Sequence, residues 1–343
     1  MRSTTAHYEE SVALEPWDYG GPEHVNRAPL VAIVDAEDVI VAAEDGLGEP
    51  FAPGRRLTST DTPQITRVAL SVAGALLVHP PSEPEEALVR VRTLGCTDLE
   101  GDNACGRWLG QRPGSLLKYL ICRRYSVVHS QHIAEALWGH GGFATSGTVR
   151  QCVHDLRQKV EAGRPDGCPQ FLVTRQSGYG LNHSVVVDAD DFAVHVRRGV
   201  AALGRGQKEI ATVHLRQAIS MYRGDFLSDE PQADWAHHER ERLREHAEDA
   251  LGALALIYMA ADNAAAATVC LRRLTEMRPY DVDAHRRLFA VLLRQGRHSH
   301  AARHYLSFCA RLSRALSTSP GFTLADLGPR DGAPALQPVG SSN

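Results

Sequence analysis

Arg150, Gln151, His154, Arg157 and Gln158 crowd into one short stretch, and none of them has a catalytic partner at readable spacing. What such long, donor-rich side chains can do is hydrogen-bond to base edges and phosphate oxygens. Between them recur Val149, Cys152, Val153, Leu156 and Val160. At 100° per residue these apolar positions fall within about 60° of one line, which predicts an amphipathic helix with one buried face. Thr148 stands at the head of that helix and is counted with the donor face. Standing alone, the same residues would suit an ordinary solvated helix. The elements around it must decide.

Two shorter helices come first. Pro113 sits where a first turn tolerates it, and Leu116, Leu117, Leu120 and Ile121 follow on one face as far as Arg123-Arg124. Ser130, or His129, caps a second helix carrying Ile133, Ala134, Ala136, Leu137 and Trp138, with a stop at Gly139. Gly141-Gly142 and Thr145-Ser146 turn the chain into the third helix, and residues 171–174 and 179–181 then predict a hairpin. Helix, helix, turn, amphipathic helix and hairpin is the order of a winged helix-turn-helix whose third helix enters a major groove. Within it, Arg175 at the start of the wing is a candidate for phosphate or the minor groove. Tyr179 is either a core residue of the wing or a phosphate donor, and Trp138 either packs under the third helix or lies near the DNA backbone. Asp155 and Glu161 would repel phosphate unless they pair with Arg157 or Arg150, or accept from a cytosine amino group.

Upstream, residues 89–94 and 97–99 are short strand candidates for a small sheet. Residues 30–34 and 39–43 read as strands around a tight turn, 68–78 as strand or helix, and Pro80-Pro81-Ser82-Glu83-Pro84 as a linker. Downstream, residues 192–203, 210–222, 235–260, 264–277, 282–294 and 300–316 carry apolar residues at spacings of three and four, broken by Gly204-Arg205-Gly206, Pro279 and Gly296. The forms ATVCLRRL and AHRRLFAVLL suggest tetratricopeptide-like helix pairs, which stack to leave a face for a protein or peptide. A bundle that only stabilises its neighbour would look similar. From Ser317 the chain is rich in Pro, Gly and Ser and reads as a loose tail.

Other chemistry is excluded motif by motif. No lysine follows a glycine, so a GxxxxGK phosphate loop is impossible. His237-His238-Glu239 lacks the HExxH spacing, no serine stands in GxSxG, and neither a metal, a cofactor nor an enzyme is expected. The seven cysteines (96, 105, 122, 152, 168, 270 and 309) contain no CxxC pair, which suits a reducing compartment. With no apolar run of about 18 residues and no signal-peptide pattern, the expected location is the cytoplasm, away from membranes.

Specific strings carry a resemblance. IAEALW (133–138), TVRQCVHDLRQKV (148–160) and FLVTRQSGYGL (171–181) resemble the OmpR-type winged helix, most closely that of the Streptomyces antibiotic regulatory protein (SARP) family of activators. YRGDFLSDEPQADWAHHERERLRE (222–245) resembles the bacterial transcriptional activator domain that follows the winged helix in that family, so the resemblance spans 88–327. The chain departs from the family pattern in having His129 where a Ser cap is usual and Gln176-Ser177 where the wing is usually Gly-rich. The resemblance implies an activator of a secondary-metabolite or pathway-specific gene cluster, bound to direct repeats in double-stranded DNA as a dimer and contacting RNA polymerase and its sigma factor. The rival reading is a tetratricopeptide-like adaptor whose winged helix does not read DNA.

The expected fold is mainly α with a small β component: a winged helix-turn-helix (88–187), a tetratricopeptide-like all-α domain (188–318), a short acidic amino-terminal extension with β-strands (1–87), and a flexible tail (319–343). The whole chain carries a net charge of −4, which conceals a division. Residues 1–87 hold 5 basic and 15 acidic side chains, and residues 88–187 hold 12 basic and 7 acidic. A basic middle suits a phosphate backbone. The acidic extension beside it either restrains DNA binding or is a passive, solubilising part of the fold.

Overall fold

Asp35 makes the first turn. Its Oδ1 accepts from the backbone N–H of Glu37 and of Val39, both at 2.9 Å, and Asp38 takes φ 63°, an Asx-type turn that folds one strand back on another. The computed structural model describes residues 30–35, 37–44, 47, 51–57, 66–69, 74–79, 89–100, 111–139, 146–161, 171–176, 178–182 and 185–327. Strands β1 (Leu30–Asp35), β2 (Ile40–Ala43), β3 (Thr66–Ala69) and β4 (Gly74–His79) form an antiparallel sheet in the order β2-β1-β4-β3. The ambiguous run 68–78 thus contributes to two strands. Strand alternation divides β1: Ala32 and Val34 pack with Ile40 and Phe51, while Ile33 joins the main core.

Strands β5 (Val89–Arg92) and β6 (Asp98–Glu100) lead to helix α1 (Gln111–Cys122), strand β7 (Val128–His129) and helices α2 (Ser130–Trp138) and α3 (Ser146–Val160). Strands β8 (Leu172–Arg175), β9 (Gly178–Leu181) and β10 (Val185–Val187) follow. The wing is a three-stranded sheet, β7-β9-β8, and β10 runs back to lie parallel to β5 in the sheet β10-β5-β6. The small sheet expected from 89–99 is therefore completed by a strand from beyond the wing.

The remainder is helical: α4 (Asp188–Gly204), α5 (Lys208–Met221), α6 (Asp234–Ala260), α7 (Ala264–Met277), α8 (Val282–Arg294) and α9 (His298–Leu316). Side-chain caps start two of them, Asn263 Oδ1 accepting from Ala266 N at 3.1 Å and Asp281 Oδ1 from Ala284 N at 2.9 Å. Helices α4 and α5 meet where Gly199 lacks a side chain; a Cβ there would lie 2.6 Å from Leu215 Cγ. Larger residues would force the pair apart.

The tail expected from residue 319 begins later. Phe322 is 9% exposed and packs on Phe289 and Phe308, the Tyr305 hydroxyl donates to the Phe322 carbonyl at 2.6 Å, and residues Ala325–Leu327 form a 3-10 turn. Burial of one aromatic ring outweighs the local Pro/Gly/Ser composition. The rest of the expected tail, 328–343, lies outside the described residues, as do residues 1–29 and the linker at 80–84. Packing is also continuous across 187/188, since Val187 and Ala189 belong to one core that includes Leu116, Leu156, Phe226 and Leu251.

Candidate nucleic-acid interface

Helix α3 packs its apolar stripe against α1 and α2, and Val149, Cys152, Val153, Leu156 and Val160 are all buried. The opposite face leaves Arg150, Gln151, His154 and Gln158 exposed. The side chains of Arg150, His154 and Gln158 make no hydrogen bond or ion pair with any described residue, so their donors are available to a ligand. Gln151 donates to Asp155 Oδ1 at 2.9 Å along the helix. Glu161 accepts from the N–H of Phe171 at 2.7 Å. The pairing of these acids with Arg150 or Arg157 is thus replaced by nearer partners, and Glu161 is spent on the approach to the wing. Cys152 lies on the buried face, where burial raises its thiol above the usual value. It is packing material, not a nucleophile.

Arg157 points elsewhere than its neighbours. Its Nη2 donates to the Leu172 carbonyl at 2.8 Å and to Thr174 Oγ1 at 2.9 Å, so the guanidinium ties α3 to the first wing strand. Half-buried Thr148 is also less available than Arg150. Trp138 and Tyr179 are both partly buried and pack against the main core, which favours the packing alternative for each without removing either from the surface.

The wing depends on two glycines. A Cβ on Gly178 would stand 2.8 Å from Val127 Cγ1 and 2.9 Å from the Val128 carbonyl oxygen, and one on Gly180 would stand 3.0 Å from the Ser126 carbonyl oxygen. Only bare backbone lets β9 lie so close to residues 126–128. Gln176 turns the tip at φ 53°, and Arg175, paired with Gly178, is exposed beside it. The second helix is capped by His129, whose Nδ1 accepts from Gln131 N at 3.2 Å. An imidazole replaces the usual hydroxyl there.

Comparison with known proteins agrees with this geometry. Residues 107–181 match the family described as transcriptional regulatory protein, C terminal, and residues 187–330 match the bacterial transcriptional activator domain. Mycobacterium tuberculosis EmbR, solved in complex with a low-affinity phosphopeptide, superposes with a TM-score of 0.56 at 25% identity over 70% of this chain and 63% of the EmbR chain. The chain belongs to the SARP family of transcriptional activators. No curated protein matches it significantly. This SARP-family chain is a DNA-binding transcriptional regulator with a winged helix followed by an all-α activator domain. It spans less than two thirds of EmbR, and no helix among its described residues is long and apolar enough to cross a membrane.

The residues that sequence reasoning missed join the two parts of this SARP regulator. In the stretch 222–230, Phe226 bridges Leu94, Leu227 N donates to the Thr93 carbonyl at 2.8 Å, and Lys118 of α1 meets Asp229 at 2.8 Å and Glu230 at 3.0 Å. Asp188 accepts from Thr93 N at 2.6 Å and Thr93 Oγ1 at 2.7 Å, and Trp235 meets Tyr119 edge-on with ring centroids 5.5 Å apart. The stretch DFLSDE therefore holds the winged helix to the helical domain. Its charges were visible, but their partners lie up to 132 residues away, beyond any local pattern.

Proposed function

We propose that this SARP regulator is a sequence-specific activator of a pathway-specific gene cluster, of the kind that makes a secondary metabolite such as an antibiotic. Helix α3 reads the major groove of double-stranded promoter DNA, with Arg150, His154 and Gln158 at base edges and Arg175 on the backbone. Two protomers bind side by side on direct repeats, and the helical domain contacts the second protomer, RNA polymerase and its sigma factor. Residues 88–187 serve as the reader and residues 188–318 as the activating part.

The observation that supports this reading is the state of α3. Its apolar stripe is buried while three donor-bearing side chains on the other face have no partner among the described residues. Footprinting of the purified chain on the DNA around its own gene tests the proposal. Two protected half-sites in direct orientation, separated by about 10 base pairs or a multiple, are expected. Absence of any salt-sensitive, competitor-resistant complex would leave the helical-adaptor reading instead.

A further inference from the structure

Several arginines of the last helices are satisfied. Arg273 donates to the carbonyl of Tyr222, Arg278 pairs with Glu248, and Arg294 pairs with Asp262 at 2.8 Å. Two others are not. Arg272 on α7 and Arg311 on α9 are only partly exposed, and the Nε of each is buried with no hydrogen-bond partner among the described residues. A groove of about 630 Å³ opens beside Arg272 and is lined by Arg297 from the turn before α9 and by Val269, which is 69% exposed. The carboxylate on its rim, Asp262, is already taken by Arg294.

Two of these cations, Arg272 and Arg311, also act on His304. Burial, then the charges of Arg272, His300, Arg303 and Arg311, hold its imidazole below the ordinary value. The residues thus form one positive field rather than scattered surface charges. Half-buried guanidiniums without acceptors are costly to a folded chain, and a ligand bearing carboxylates would remove that cost through charge-assisted hydrogen bonds.

We propose that the groove between α7 and the turn before α9 binds an acidic peptide segment of a partner protein, with carboxylates on Arg272 and Arg297 and an apolar side chain over Val269. Charge complementarity selects the class of ligand. Size then favours peptide over nucleic acid: the volume falls in the range of about 300–1,000 Å³ typical of sites that enclose a small ligand or a few side chains, and the exposed valine in its lining offers nothing to a phosphate. The site is on the opposite part of the chain from α3 in sequence and stands independently of the DNA-binding proposal.

The test is fluorescence anisotropy of the full chain with a short fluorescein-labelled peptide of alternating aspartate and leucine, against the matched asparagine–leucine peptide. Saturable, salt-sensitive binding of the first peptide alone is expected. Arg272→Gln with Arg297→Gln should weaken it by about tenfold or more, the effect of losing a charge-assisted hydrogen bond, while DNA affinity stays unchanged. Val269→Asp, at an exposed position that leaves the core intact, should abolish binding without lowering the melting temperature. Equal binding of both peptides, or wild-type peptide affinity in either variant, overturns the proposal. So does a parallel loss of DNA affinity in both variants with displacement of the peptide by duplex DNA, which would assign the groove to the nucleic acid.

Discussion

The Arg124 guanidinium, just beyond the end of α1, meets the Asp190 carboxylate in the first turn of α4 at 2.6 Å. The same Nη2 reaches Glu239 of α6 at 2.9 Å, so one side chain joins the winged helix to two helices of the activator domain. Burial alone would raise the Glu239 carboxyl, but the Arg242 hydrogen bond and the Arg124 charge outweigh it and hold it below the ordinary value. The winged helix and the helical domain are thereby held in a defined relation.

Arg124→Ala leaves Asp190 without this cation and Glu239 with Arg242 alone. Loss of one partner of a fully buried pair costs about 3–5 kcal/mol. Because the Asp190 side chain keeps 35% of its surface exposed, we expect a smaller loss, about 2 kcal/mol, measured by urea denaturation. Arg124→Lys should recover part of it. Transcription from the target promoter should fall further than DNA affinity does, and an equal fall in both would show that the pair serves stability alone.

Arg150→Ala should cost about 1–3 kcal/mol on the specific site and relax one base position. Arg175→Ala should instead weaken specific and random DNA alike and lower the salt slope by about one unit. Arg157→Ala should behave as a third class, loosening the wing and lowering the melting temperature before any change in base preference. Gel shifts at several salt concentrations separate the three, and identical losses for all of them on every sequence would contradict α3 as the reader.

Gly178→Ala puts a methyl group against the Val128 carbonyl oxygen, 2.9 Å from its Cβ. The clash is with backbone, so β7 or β9 must shift, at a cost of about 1–3 kcal/mol for an overpacked site. Thermal unfolding should report that loss, together with weaker DNA binding from a displaced wing. Gly204 at the end of α4, where a Cβ would have open space and the backbone is not left-handed, provides a comparison for Gly-to-Ala effects away from the wing.

Acidification should release the amino-terminal sheet. Glu44 is buried where the sheet meets α5, with Oε1 2.9 Å from His214 Nε2 and Oε2 accepting from Val31 N at 2.8 Å, while His195 Nδ1 lies 2.9 Å from His214 Nδ1. Burial, reinforced by His214 and Arg198, depresses His195 from 6.5 to about 4. Between those values the unfolded chain binds a proton that the folded chain refuses, so stability falls as pH drops from about 6.5 towards 4. Glu44 works in the same direction: burial raises its carboxyl, the His214 hydrogen bond and the His214 and Arg198 charges more than offset this, and the resulting low value is lost as stability on further acidification. Melting temperature should decline over this window in the wild type and decline less in His195→Phe.

Removing residues 1–84 should leave DNA affinity unchanged at about 50 and 200 mM salt, the range in which phosphate contacts respond strongly. The sheet contacts α5, and Ile33 enters the main core there, which points to the passive extension rather than a mask over α3. The shortened chain should instead melt lower, because α5 loses its cover. Tighter DNA binding by the shortened chain at the lower salt would restore the masking alternative.

Much of the fold was legible because its signals are local. The periodicity of α3, and the Asn263 and Asp281 caps before α7 and α8, lie within a turn or two of the residues they organise, so element type and several boundaries follow from sequence alone. The donor face of α3 was equally readable, since a residue's position on a helix depends only on its spacing. What the sequence could not determine is who meets whom across the chain: β10 returning beside β5, Glu44 reaching His214, Phe322 covering Phe289, and Arg157 turning from the groove to the wing. Each depends on segments far apart in sequence that are brought together only when the core closes, and burial then decides which polar groups must pair with each other and which remain for a ligand.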